Sequence, residues 1–136
     1  MLSELNYLAI LVSGAIYWIL GGIWYAAIFS KPYQAALNFS PEVKAQAQKD
    51  FPKALAVHFI SGLISSVVLA IIVKSAGEDS FVDGMLCGLI MWLGFALTIN
   101  LNYLMFEKRP TPLFLINNGF FLIAFAIIGG ILAVWS

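Results

Sequence analysis

Four long stretches without a charged residue constrain this chain more than any other feature of its sequence. An α-helix rises about 1.5 Å per residue, so roughly 20 residues cross a hydrocarbon core of about 30 Å, and each stretch reaches that length. We therefore predict an all-α fold, a polytopic membrane protein with four transmembrane helices. The predicted spans cover about 5–30, 54–73, 84–106 and 112–135.

The composition agrees with a membrane location and excludes several other classes of protein. Hydrophobic residues make up 62% of the chain and charged residues only 10%, whereas about a quarter of a soluble domain is charged. The formal net charge is zero, so no basic surplus is present to bind nucleic acid. Cys87 is the single cysteine, which excludes an internal disulfide and a cysteine-cluster metal site. We expect one domain over residues 1–136, without a metal or a cofactor.

The loop at residues 31–53 contains its own helix signals. Ser40 is a capping residue, Pro41 suits the first helical position, and Glu42 places an acid in the first turn. These signals predict a short amphipathic helix at about 41–50, lying at the membrane interface. We favour a solvated linker helix over a partner-binding one.

The basic residues are distributed unevenly between the loops. Lys74 alone lies on one side, while the other six of the 7 Lys and Arg residues lie in loops 31–53 and 107–111. Because cytoplasmic loops carry the excess of Lys and Arg, both of these loops are predicted to be cytoplasmic and both termini outside. The lipid bilayer that surrounds the four spans is therefore a predicted partner of the chain.

Uncharged polar residues within the spans concentrate on the cytoplasmic side. No acidic or basic residue lies within the four spans, which argues against a proton-coupled antiporter with a buried carboxylate and against a pore with charged rings. Amide and imidazole groups avoid lipid by hydrogen bonding across helices, so we expect them to converge. Neutral His58 is expected to bond to Asn102 or Tyr25. The cluster, which either binds a ligand or only joins helices, comprises Trp24, Tyr25, His58, Asn102, Asn117 and Asn118.

Glycines at helical spacing predict where the helices pack closely. Small residues let helix backbones approach each other in lipid, and they support association between copies as well as within one copy. On the third span, helical spacing places Gly84, Phe95 and Asn102 on one face, which is predicted to point into the bundle. The candidate packing residues are Gly14, Gly21, Gly62, Gly84, Gly88 and Gly129.

No combination of residues in the sequence predicts an active site. Serines occur near His58 on the second span, but no acid is placed to orient the imidazole. One histidine without an intramembrane carboxylate is also too few ligands for a zinc or iron site. We therefore favour a protein that is not an enzyme, with an intramembrane enzyme acting on lipid as the least supported hypothesis.

Five short segments of the chain are distinctive in combination: Gly21–Tyr25, Trp92–Phe95, Phe106–Pro110, Ile116–Gly119, and Gly129–Gly130 before Trp135. Together they resemble a family of small bacterial membrane proteins, catalogued as domain of unknown function seventeen sixty-one. The resemblance implies a four-helix integral membrane protein without an assigned activity or known site residues. We expect the chain to lie in the bacterial inner (cytoplasmic) membrane.

Two hypotheses for function follow from these observations. The first is a homo-oligomer that binds or passes a small neutral or amphipathic molecule at the polar cluster in the cytoplasmic leaflet. The second is an accessory or assembly subunit of a larger membrane complex, in which the cluster only joins helices and the partner is another membrane protein.

Overall fold

Four long apolar helices form the computed structural model, which describes residues 2–135. This confirms the predicted all-α class with four helices suited to cross a membrane, and also the short helix between two of them. After a 3₁₀ turn at Leu2–Glu4, the helices are α1 (Tyr7–Ile28), α2 (Ser30–Leu37), α3 (Pro41–Lys49), α4 (Phe51–Ala76), α5 (Phe81–Phe106) and α6 (Thr111–Val134). We call the end where α1 begins and α6 ends the terminal end, and the end that carries α2 and α3 the loop end.

Side chains in the loops set several helix starts. Asn6, Ser40 and Ser80 each accept a hydrogen bond from the backbone N–H three residues later, which satisfies donors that have no partner inside the helix.

Helix α2 was not predicted from the sequence. Helix α4 extends beyond the uncharged stretch at 54–73 because a lysine near a helix end keeps its ammonium group in water without interrupting the backbone hydrogen bonds.

Helix α6 is the central element of the bundle. It packs most extensively against α5 and also contacts α1 and α4, which pack against each other. In the most apolar part of α6, 44% of the residues are buried within the protein, compared with 11% in α5. Helix α5 therefore lies on the outside of the bundle, held mainly by α6.

Glycines bring α5 and α6 into backbone contact. A Cβ atom at Gly84 would collide with the carbonyl of Gly129, and one at Gly88 would collide with the carbonyl of Phe125. A side chain at either position would therefore push the two helices apart, since the obstacle is backbone.

Three further glycines face side chains across the contact between α1 and α4. Gly14 lies against Leu63 and Gly21 against the ring of His58, while Gly62 lies against the ring of Tyr17. All six glycines of the predicted set thus face packing contacts inside one copy of the chain. An oligomer would have to use other surfaces.

Two π-helical segments, Ile23–Ile28 in α1 and Trp92–Leu97 in α5, interrupt the α-helical register. A π turn holds one residue more than an α turn, so the residues that follow it are rotated about the helix axis. The predicted inner face of α5 consequently ends before the π segment. Phe95 is 60% exposed, and Asn102 is exposed as well.

We predict that Gly88→Ala destabilises the protein by about 1–3 kcal/mol, because the added methyl group overpacks the contact with α6. Gly94→Ala in the same helix is the matched control, since a Cβ atom there meets no atom within 4 Å. Thermal unfolding of both variants in detergent measures the difference. Equal losses of stability would contradict the packing described for α5.

Candidate functional site

Three aromatic side chains donate hydrogen bonds to a single turn of α6. Trp24 Nε1 lies 2.9 Å from the carbonyl oxygen of Ile116, and Trp92 Nε1 lies 2.9 Å from that of Asn118. Between them, the Tyr25 hydroxyl donates to Oδ1 of Asn117 at 2.7 Å. We call residues 116–119 of α6 the asparagine turn. It joins α1 and α5 to the central helix.

The π segments supply these aromatic donors. Trp24 and Tyr25 lie in the first π segment, and Trp92 begins the second. Gly119 completes the turn, since a Cβ atom there would lie only 3.0 Å from the indole ring of Trp24. The bare backbone of Gly119 lets the indole lie close to α6.

His58 occupies a separate place in the contact between α1, α4 and α6. The centroid of its ring lies 4.8 Å from that of Tyr17 and 5.7 Å from that of Phe120. Its Nε2 atom is buried and makes no hydrogen bond of ordinary length and angle within residues 2–135. Gly21 makes room for the imidazole, because a Cβ atom at that position would overlap Nε2.

The structure brings together only part of the predicted polar cluster. Trp24, Tyr25 and Asn117 meet at the asparagine turn, and Phe120 links them to His58 because it also contacts the ring of Tyr25 at 5.5 Å. The expected hydrogen bond between His58 and Tyr25 or Asn102 is not formed, because Tyr25 donates to Asn117 instead.

Asn102 and Asn118 do not contribute their side chains to this group. Asn102 is exposed, and its amide donates to the carbonyl of Thr98 in its own helix at 3.2 Å. Asn118 is buried, and its amide donates to the carbonyl of Phe114 at 2.8 Å. Its Oδ1 atom has no partner in the described part of the chain.

Sequence reasoning missed Tyr17 and Phe120, which form the wall around the imidazole. Tyr17 is 4% exposed and Phe120 is 1% exposed. The helical spacing held a signal for the tyrosine, since Tyr17 lies three residues after Gly14 and four before Gly21, on the face of α1 that packs against α4. Its neighbour Trp18 is 39% exposed and donates to the carbonyl of Leu55.

Helix α2 covers this region from the loop end. Tyr33 packs against Tyr25 with ring centroids 4.7 Å apart, and burial raises the pKa of its phenol. Within residues 2–135, no three His, Cys, Asp or Glu side chains lie close enough together to hold a metal ion. The site therefore presents neutral hydrogen-bonding groups and aromatic rings.

Comparison with protein families identifies the chain. The family model described as "Protein of unknown function (DUF1761)" matches residues 8–133. The chain belongs to this family. Searches of curated proteins and of solved structures found no match.

Three of the five segments that carry the sequence resemblance to the DUF1761 family meet in space. Gly21–Tyr25 from α1 and Trp92–Phe95 from α5 both contact Ile116–Gly119 of α6. Gly129 contacts Gly84, and Gly130 contacts the ring of Phe81. In this DUF1761 chain, three separate short motifs therefore form one set of helix contacts at the asparagine turn, and Gly129 and Gly130 take part in a second contact with α5.

We predict a measurable coupling between Tyr25 and Asn117. In a double-mutant cycle of Tyr25→Phe and Asn117→Leu, the coupling free energy should be about 0.5–1.5 kcal/mol, because the hydroxyl and the amide are each other's partners within the membrane. Stability in detergent is the measurement.

The same cycle with Asn102→Leu in place of Asn117→Leu is the matched control, and we expect coupling near zero. Stronger coupling of Tyr25 to Asn102 than to Asn117 would show that the helices converge as the sequence periodicity suggested and not as the structure has them.

Proposed function

We propose that this polytopic membrane protein binds a small neutral or amphipathic molecule beside His58, in the half of the membrane nearer the loop end. The observation that carries the proposal is the buried Nε2 atom without a partner. Leaving a buried polar group unpaired costs about 1–3 kcal/mol. A ligand that enters between Gly21 and the imidazole and bonds to Nε2 would recover that energy.

The surroundings of His58 limit the chemistry of the ligand. Residues 5–30, 54–73, 84–106 and 112–135 include no Asp, Glu, Lys or Arg. A charged ligand beside His58 would therefore lack a counter-ion in the membrane. Tyr17 and Phe120 supply flat aromatic faces. These features favour a molecule with a ring or chain and one hydroxyl or carbonyl group.

The distribution of basic residues supports the orientation of the site. Six of the 7 Lys and Arg residues lie at the loop end, so we place this end in the cytoplasm and the bound molecule in the cytoplasmic leaflet. Both termini then lie outside, and we propose the bacterial inner membrane as the location.

A test of this function compares what the protein retains during purification. Organic extraction and mass spectrometry of the purified wild type should detect one small molecule in near-stoichiometric amount. We expect His58→Ala to lose it, because the hydrogen-bonding atom is gone.

Asn100→Leu serves as the control, since the Asn100 amide donates to the carbonyl of Ala96 in its own helix. A folded His58→Ala variant that retains the same molecule would refute the binding proposal, and so would a wild-type protein without any retained molecule.

We further propose that the protein forms a homo-oligomer through the exposed face of α5. Thr98 and Asn102, which follow the π segment, lie one α-helical turn apart on this face, and both are exposed. An amide both donates and accepts, so Asn102 of one copy has the chemistry to pair with Asn102 of a second copy across a two-fold axis. This pairing would shield an amide that otherwise faces lipid.

We predict that Thr98→Trp disrupts the oligomer by inserting a large ring into the proposed interface. Ile64→Trp on α4 is the matched control, since Ile64 is 60% exposed and lies outside α5. Native mass spectrometry of both variants in mild detergent measures the oligomeric state. If both variants keep the wild-type oligomeric state, the proposed interface on α5 is wrong.

The same exposed face of α5 supports the second candidate function, an accessory subunit of a larger membrane complex. Its low burial leaves most of the helix free to contact another membrane protein. Consistent co-purification of unrelated subunits, lost in Thr98→Trp and kept in Ile64→Trp, would favour this function over the homo-oligomer.

A further inference from the structure

The terminal end of the bundle holds a second region in which polar groups meet. Lys74 Nζ, in the last turn of α4, donates to the backbone carbonyl of Glu4 at 2.6 Å. Asn6 Nδ2 donates to the carbonyl of Trp135 at 3.0 Å. These two bonds tie the segment before α1 to the ends of α4 and α6, far along the bundle from His58.

A groove of about 430 Å³ opens beside this segment. Glu4, Lys74 and Ser75 line its polar part, while Leu5 and Ile71 supply its apolar part. Ile71 lies one helical turn further into α4 than Ser75, so the lining changes from polar to apolar with depth. A phospholipid has the same order, with a headgroup at the surface and an acyl chain below it.

The charges at the groove are mixed. An ammonium group has three donors, and only one from Lys74 is used for the Glu4 carbonyl. Within residues 2–135, Lys74 forms no ion pair, so no carboxylate of the described residues neutralises its charge. Glu4, whose side chain carries a carboxylate, lines the same groove.

We propose that this groove binds the zwitterionic headgroup of a phosphatidylethanolamine. The phosphate lies against the Lys74 ammonium group, the primary amine donates to the Glu4 carboxylate, and an acyl chain packs on Leu5 and Ile71. A headgroup with only negative charge would face the Glu4 carboxylate without a compensating cation. A choline headgroup has no N–H to donate to that carboxylate.

The test measures lipid binding to the full chain in mild detergent by native mass spectrometry. The probes are phosphatidylethanolamine, phosphatidylcholine and phosphatidylglycerol with identical acyl chains. We expect phosphatidylethanolamine to bind at least about fivefold more tightly than the other two, as one additional charge-assisted hydrogen bond implies. Equal binding of all three lipids, or tightest binding of phosphatidylglycerol, overturns the proposal.

Variants separate the groove from general lipid contact. Lys74→Gln and Glu4→Gln should each abolish the preference, while Lys53→Gln, at the opposite end of the same helix, should keep it. If Lys74→Gln and Glu4→Gln both keep the preference, the assignment is wrong.

Two further variants test whether a lost lipid preference results only from disturbed folding, because Lys74 also holds the segment before α1. Lys74→Arg retains a cation and should retain the preference. Ile71→Trp fills the groove without altering Lys74 and should lose it; a preserved preference in Ile71→Trp overturns the proposal. Soluble phosphoethanolamine should not displace the lipid, and displacement would show a site for a free solute instead.

Discussion

The hydrogen bonds from indole groups to backbone carbonyls of α6 are the interaction on which the rest of this structure depends. Lipid offers an indole N–H no acceptor, so the group must find a partner inside the protein. Trp24 and Trp92 find theirs at carbonyls two residues apart on the same turn. Since the two indoles belong to α1 and α5, this turn fixes both helices against the centre of the bundle.

The same constraint explains which parts of the structure were predictable. Span length and charge placement predicted four long apolar helices, because crossing a membrane requires a fixed length of uncharged helix. The spacing of Gly84 and Gly88 indicated a close contact, and the structure shows that the partner is the backbone of α6. Periodicity could not reveal the π segment at Trp92–Leu97, which turns Asn102 away from the site. A single extra residue in one turn leaves little trace in a hydrophobic pattern.

The polar cluster also illustrates why residue type alone does not define a binding site. Asn117 and Tyr25 satisfy each other, and Trp24 uses a backbone carbonyl. These groups are therefore helix contacts first. His58 and Asn118 differ, because His58 Nε2 and Asn118 Oδ1 are both buried without a hydrogen-bond partner in the described residues. Asn118 still donates its amide to the carbonyl of Phe114, whereas the imidazole of His58 packs in the space that Gly21 leaves. Of the six predicted residues, His58 is therefore the first candidate for a ligand contact.

An experimental density map of the chain in a lipid bilayer tests the central role of the asparagine turn most directly. We predict that the indole nitrogens of Trp24 and Trp92 both lie within about 3.2 Å of the carbonyl oxygens of Ile116 and Asn118. A map in which either indole points into lipid, or in which α5 packs on α1 or α4 instead of α6, would contradict this account.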